Sequence, residues 1–345
     1  MDERLLSALA EIASCLYSTV GYFLDRRKLM KSPSAAPPSD HIVKRLMNIA
    51  LPITAGRYLN TALRTIENVL VPAKLAQFCF SQEKALASFG ALKGMAMPLI
   101  FFPASFLNAL STLLIPEISE ASALNQKRRV ERAVNHTLHL TLTAAILLSG
   151  LFTIFAEELG QLFYQSEEVG FLLKVLAPLM PVMYVESVVD GMLKGLNQQV
   201  SSLKYMLLDS SSRIVLILFL VPSRGMEGFL FIMVLSNLLT CFLNTHRLLS
   251  VTGMKLKWST WILKPVLAMC TGAASVLLLI KATPLHTLPR IWILIIGGVL
   301  AAGLYCLLLP LLGCITREDL RQLRPSRRQE PPEVPEEPAA ARTDW

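Results

Sequence analysis

Apolar runs close to twenty residues long, separated by short polar segments, set the pattern of this chain. A bilayer's hydrocarbon core is about 30 Å thick and a helix rises about 1.5 Å per residue, so a run of about twenty residues is long enough to cross it. Nine such spans are predicted, at about 5–24, 46–71, 95–115, 135–156, 172–191, 204–221, 227–245, 261–280 and 291–312. The first is the weakest, because it carries Glu11 and many small residues; an interfacial or partly buried helix is its alternative reading. Acidic Asp2 and Glu3 stand where a cleaved leader carries basic residues, so this segment does not read as a signal peptide. The prolines at 52, 98, 103, 178, 181 and 310 fall inside spans and predict bends. Pro98 and Pro103, with Gly90 and Gly94, make the third span the most bent.

Composition sharpens the picture. Of 345 residues, 53% are hydrophobic and 17% charged, against about 25% charged in an ordinary soluble domain. So much apolar surface faces lipid, where a spanning backbone must satisfy its own polar groups as a helix or a closed barrel. Uninterrupted runs select helices over the short alternating strands of a barrel. The fold class is therefore an all-α polytopic transmembrane bundle.

The net charge of +8 would raise nucleic-acid binding in a soluble protein. Here the basic residues sit between apolar runs, where they set topology and meet anionic lipid, so nucleic acid is not an expected partner. One set of alternate connections, running from Arg26 through Lys127, Lys194 and Arg247 to the tail at Arg342, holds 22 Lys and Arg; the opposite set holds 7 and includes Glu157, Glu158, Glu167 and Glu168. The richer set is expected in the cytoplasm, with the C-terminus, for a multi-pass protein of the plasma membrane. The expected organisation is a weak first helix at 1–30, a cytosolic linker at 31–45, a six-helix lobe at 46–250, two additional helices at 251–315 and a disordered cytosolic tail at 316–345. The linker contains the Pro- and Ser-rich stretch Lys31–Asp40, and the tail is rich in Pro and Glu.

The stretch ASFGALKGMAMPLIFFPASFLNALSTLLIPEISEA (Ala87–Ala121) resembles a recurrent pattern of the polysaccharide-exporter and stage V sporulation protein B branch of the multidrug, oligosaccharidyl-lipid and polysaccharide exporter superfamily. Leu51–Leu75, Tyr164–Gln199, Asp209–Phe229 and Ser236–Leu249 agree with it in order and spacing, so the likeness covers about residues 42–250. It implies a lipid II flippase-like fold of fourteen helices, in two six-helix lobes around a cavity plus two more. It also implies alternating access that carries lipid-linked oligosaccharide or polysaccharide precursors across the membrane. The nine spans resemble the last nine of fourteen, which leads us to expect a truncated or split form that works with a separate N-terminal half or by self-association.

Ionisable groups at bilayer depth are costly unless paired or solvated, so each marks a candidate site. Arg57 and Arg64, seven residues apart with Asn60 between them, lie on one helix face about 10 Å apart along the axis. Two guanidiniums so placed can grip a pyrophosphate through paired donors. Glu67, three residues beyond Arg64, offers a local ion pair instead. Glu186 and Asp190 share a face and could hold a cation or a proton, while Asp190 can also pair with Lys194. Asp209 and Arg213, four apart, read as a structural pair.

The substrate-binding candidates are thus Arg57, Asn60, Arg64, Glu67 and Glu186. Scattered Cys and His give no metal pattern, and no nucleotide motif appears, so no cofactor or catalytic group is assigned. Three rival readings stand. A cation-coupled multidrug antiporter would favour acidic cavity residues. A membrane-embedded glycan polymerase or ligase would need catalytic side chains in outside loops, and those near 72–94 and 157–171 lack His and Asp. The third is an inactive accessory remnant.

Overall fold

A computed structural model describes residues 3–29, 42–254, 259–282 and 290–314. The described residues are helical throughout apart from short turns, as the apolar runs predict. The linker stretch 31–40 and the tail 316–345 lie outside the described residues. The chain divides into two compact units, Met1–Leu51 and Pro52–Trp345. The first holds α1 (Glu3–Leu29) and the start of α2 (Ile42–Cys79), which begins inside the segment read as linker.

The second unit carries the rest. After α2 come α3 (Gln82–Gly90), a π turn (Ala91–Ala96), α4 (Met97–Ala123), α5 (Lys127–Ile154), α6 (Ala156–Tyr164) and α7 (Glu167–Leu176). A 3-10 turn (Ala177–Leu179) leads into α8 (Met180–Gly195), followed by α9 (Gln199–Thr252), a π turn (Ser259–Leu263), α10 (Lys264–Ala282) and α11 (Arg290–Leu311). Six helical segments among the described residues are long and apolar enough to cross a membrane: Gln82–Ala123, Lys127–Ile154, Glu167–Gly195, Gln199–Thr252, Ser259–Leu279 and Ile291–Leu311. The stretch 72–94, read as an outside loop, is mostly helix.

Three of the prolines mark changes of helix type where bends were expected, whereas Pro52, Pro103 and Pro310 lie inside continuous helices. Pro98 opens α4 directly after the π turn, Pro178 lies within the 3-10 turn, and Pro181 follows it in the first turn of α8. Each lacks the N–H that would close the helical bond behind it, so the helix changes register there. The hydroxyl of Tyr184, fully buried, donates to the carbonyl of Ile100 at 2.5 Å and ties bent α4 to α8.

The 54 residues of α9 would extend about 81 Å as one helix, far beyond a bilayer. They fold back at Gly225 (φ 59°, ψ −138°), a conformation open essentially only to glycine. The carbonyl of Leu220 lies 2.7 Å from where a Cβ on Gly228 would sit, so the two arms are tight at the bend. These arms are the sixth and seventh predicted spans. Gly191 and Gly195 lie in α8, where Gly195 gives close passage to the Ile115 backbone.

From Pro52 onward α2 runs parallel to the first arm of α9. Gly56 meets Leu203, Glu67 meets Arg213, and Phe78 packs behind Gly225, an offset of 147, 146 and 147 residues. Two parallel neighbours need an odd number of crossings between them, and three of the six segments lie there. Helices in lipid associate through packing and polar contacts rather than hydrophobic exclusion. Accordingly, Gly160 lies against Gly170, Gly150 against Met269 and Gly297 against Phe155. The last two hold α10 and α11 on α5, with Tyr305 donating to the Thr143 carbonyl at 2.9 Å.

Candidate functional site

Polar residues recur four or seven positions apart on both arms of α9, and the bend at Gly225 turns the two polar faces toward each other. Ser202, Asp209 and Arg213 mark the first arm; Ser236, Thr240 and Asn244 mark the second. With Glu186 and Asp190 from α8 and Arg64 from α2 they enclose a cavity of about 250 Å³.

Its walls are knitted by charge-assisted hydrogen bonds. Glu67 Oε2 accepts from Arg213 Nη2 at 2.6 Å, with side chains only 5% and 18% exposed. Asp209 Oδ1 accepts from Ser236 Oγ at 2.5 Å, joining the two arms. Asp190 accepts from Lys194 at 2.5 Å and also from Ser202, joining α8 to α9. Glu186 Oε1 faces Asn244 Nδ2 at 3.4 Å, while buried Asn244 Oδ1 and Asn60 Oδ1 have no hydrogen-bond partner among the described residues. The cavity wall thus carries three carboxylates, from Glu186, Asp190 and Asp209, and two guanidiniums, from Arg64 and Arg213.

The sequence candidates separate into three groups. Arg64 and Glu186 line the cavity; Glu67 lies buried beside it, and Asn60 is partly buried one turn before Arg64. Arg57 is exposed and is not among the lining residues. It lies two turns before Arg64, about 10 Å along α2, next to the close contact of Gly56 with Leu203. The local pair expected between Asp209 and Arg213 does not form, because each side chain finds a partner elsewhere, Asp209 with Ser236 on the second arm of α9 and Arg213 with Glu67 on α2. Glu67 likewise pairs with Arg213 and not with Arg64. The expected Asp190–Lys194 pair is present.

Sequence reasoning passed over Ser236, Thr240 and Asn244. Their four-residue spacing in an apolar helix was the available signal.

A larger recess of about 530 Å³, lined by Glu157, Glu158, Gln161, Glu167, Phe171 and Lys174, opens at the surface between α6 and α7. There Lys174 Nζ bonds Glu157 Oε1 at 2.8 Å, and this hydrogen bond, with the attraction of the charge, holds the Glu157 carboxyl below its usual range. Both groups are well exposed, so the pair anchors little.

Comparison with known proteins agrees with this architecture. Residues 75–219 match the MatE family, a stretch that includes α8 and most of the first arm of α9. The chain is 24% identical over 327 residues to Stage V sporulation protein B of Bacillus subtilis (strain 168), covering 92% of this chain and 62% of that protein. It is 28% identical over 170 residues to Sporulation protein YkvU of the same organism, covering 49% of this chain and 38% of that one. The chain therefore spans less than two thirds of the length of these relatives. A helical bundle with six bilayer-length segments and a polar cavity held between its broken helices makes the chain a multi-pass membrane protein, and its residues 75–219 are similar to the MatE family.

Proposed function

We propose that the chain is part of an exporter that flips lipid-linked oligosaccharide or polysaccharide precursors, with the anionic head group in the α2–α8–α9 cavity and the lipid tail left in the membrane. The observation that carries this reading is Arg64 beside Arg213 in a polar cavity within a bundle of bilayer-length helices. Guanidiniums suit phosphate because their donors are paired and planar, and in a site shielded from water each such bond is strengthened. The surrounding Ser, Thr and Asn side chains suit sugar hydroxyls. Alternating access needs a second wall, supplied by another lobe on a separate chain or by a second copy. The location is the plasma membrane, with the C-terminus in the cytoplasm, from the distribution of basic residues.

The test is translocation of a labelled undecaprenyl-pyrophosphate-linked sugar in liposomes containing this chain, with and without a candidate partner lobe. Translocation that needs both chains is the expected result. Absence of both binding and translocation beyond empty liposomes would refute the reading.

A second reading rests on the three carboxylates of the same cavity, Glu186, Asp190 and Asp209. They favour a cation-coupled antiporter, in which a cation or proton occupies the acidic side. Transport of organic cations driven by an imposed sodium or proton gradient, with no response to lipid pyrophosphates, would select it.

A further inference from the structure

Three cations gather around one buried carboxylate. Glu67 stands on α2 and Arg213 on the first arm of α9; Arg64 lies one turn before Glu67, and Lys93 lies on the π turn Ala91–Ala96. The turn is locked in place, because its Ala91, Leu92 and Ala96 share a buried cluster with Val71 and Leu75 of α2 and Ile217 and Val221 of α9. Those four residues lie one and two turns beyond Glu67 and Arg213 on their own helices. Lys93 is close enough for its charge to feel Glu67, Arg213 and Arg64, yet among the described residues it makes no ion pair within 4 Å. The pair it stands beside is only half used. Glu67 Oε1 and Arg213 Nε are buried and, among the described residues, have no hydrogen-bond partner.

An unpaired carboxylate oxygen, with an ammonium beyond 4 Å but within reach of its charge, is a set that can re-pair. Drawing Arg213 away from Glu67 with no replacement would leave a buried charge uncompensated, a penalty that opposes ligand binding. A lysine on a flexible four-carbon stem can follow the carboxylate, whereas the planar fork of arginine is the better match for phosphate.

We propose that Glu67 exchanges partners on binding: without ligand it holds Arg213, and when a phosphate of an anionic head group enters the cavity, Arg213 turns to the phosphate while Lys93 takes Glu67. Lys93 is then a positioning residue that never touches the ligand. The exchange rests on the reading of the cavity as an anionic head-group site. It also loosens α2 from α9 only when the cavity is occupied, which couples occupancy to the contact between these two helices.

The experiment measures binding of undecaprenyl pyrophosphate, and separately of inorganic pyrophosphate, to the full chain in phosphatidylcholine nanodiscs. Lys93→Gln, at an exposed position, should weaken binding on the order of tenfold, and Lys93→Arg should not. Glu67→Gln, which keeps the side chain's shape and releases Arg213, should bind at least as tightly as the parent. In the Glu67→Gln background, Lys93→Gln should then change affinity by no more than about twofold, because there is no carboxylate left to compensate.

Equal losses from Lys93→Gln in both backgrounds would mean that Lys93 attracts the anion directly, and would overturn the exchange. So would an unchanged affinity of the single variant. Binding of the lipid pyrophosphate alone, and not of the inorganic ion, identifies a lipid head group as the source. If the parent binds neither probe, the head-group reading falls and the exchange with it; parent binding with additive variants removes the exchange alone.

Discussion

Glu67 and Arg213, 146 residues apart in the chain, meet in a buried ion pair of 2.6 Å that ties α2 to the first arm of α9. Neither residue has an opposite charge among its own helical neighbours that it uses, so the pair exists only because the two helices run parallel at a constant offset. Removing one partner strands the other charge. Glu67→Ala or Arg213→Ala should therefore cost about 3–5 kcal/mol, whereas an apolar replacement of both should recover most of the loss. Denaturation midpoints of the purified variants in detergent check this, and a double variant as unstable as the sum of the singles would show that the two are not coupled.

Arg64 lines the cavity and Arg57 does not. Arg64→Ala should accordingly weaken binding of a lipid pyrophosphate by at least about tenfold, the scale of one lost charge-assisted contact, and Arg57→Ala should change it by far less. Isothermal titration on both variants distinguishes the two arginines. A larger effect at Arg57 would place the head group outside the cavity.

The bend of α9 depends on Gly225. A Cβ there would sit 2.5 Å from the ring of Phe78, on a backbone that L side chains avoid. Gly225→Ala should destabilise the protein by at least about 1–3 kcal/mol, the usual cost of such backbone strain. Gly298→Ala makes the contrast, because its Cβ would meet nothing within 4 Å and alanine is the better helix former by about 0.5–1 kcal/mol. Thermal unfolding of the two variants should move in opposite directions.

Tyr184 holds bent α4 through the Ile100 carbonyl. Tyr184→Phe keeps the packing and removes one hydrogen bond, so about 0.5–1.5 kcal/mol of stability should be lost. Hydrogen exchange should rise selectively around Ile100, and an even rise over the whole bundle would argue against a local tie.

Orientation is tested at two exposed positions, Ser122 near the end of α4 and Glu168 near the start of α7. Cysteine at Glu168 should react with an impermeant thiol reagent in intact cells and cysteine at Ser122 should not, in a background lacking the native cysteines. The reverse pattern would invert the topology drawn from the basic residues.

The sequence by itself determined that the chain is a bundle of membrane helices, where most of the spans lie and, at Pro98 and Pro178, where two of them break. Those properties are local: run length sets a span, and a missing proline N–H or a glycine at positive φ gives a place where it can break. The pairing of Asp190 with Lys194 was legible for the same reason, both groups lying on one turn of one helix.

Only the tertiary structure decided which intramembrane charges belong together. Asp209 with Arg213, and Arg64 with Glu67, stand at helical spacing, yet Asp209 takes Ser236 and Glu67 takes Arg213. Pairing within one helix surface is worth only about 0.2–0.5 kcal/mol, far less than leaving a buried charge on a neighbouring helix uncompensated. The same packing put Arg64 on the cavity and left Arg57 outside it, and it gathered Ser236, Thr240 and Asn244 from the second arm of α9. Helix periodicity names the face a residue occupies; what that face meets depends on the neighbouring helices that pack against it.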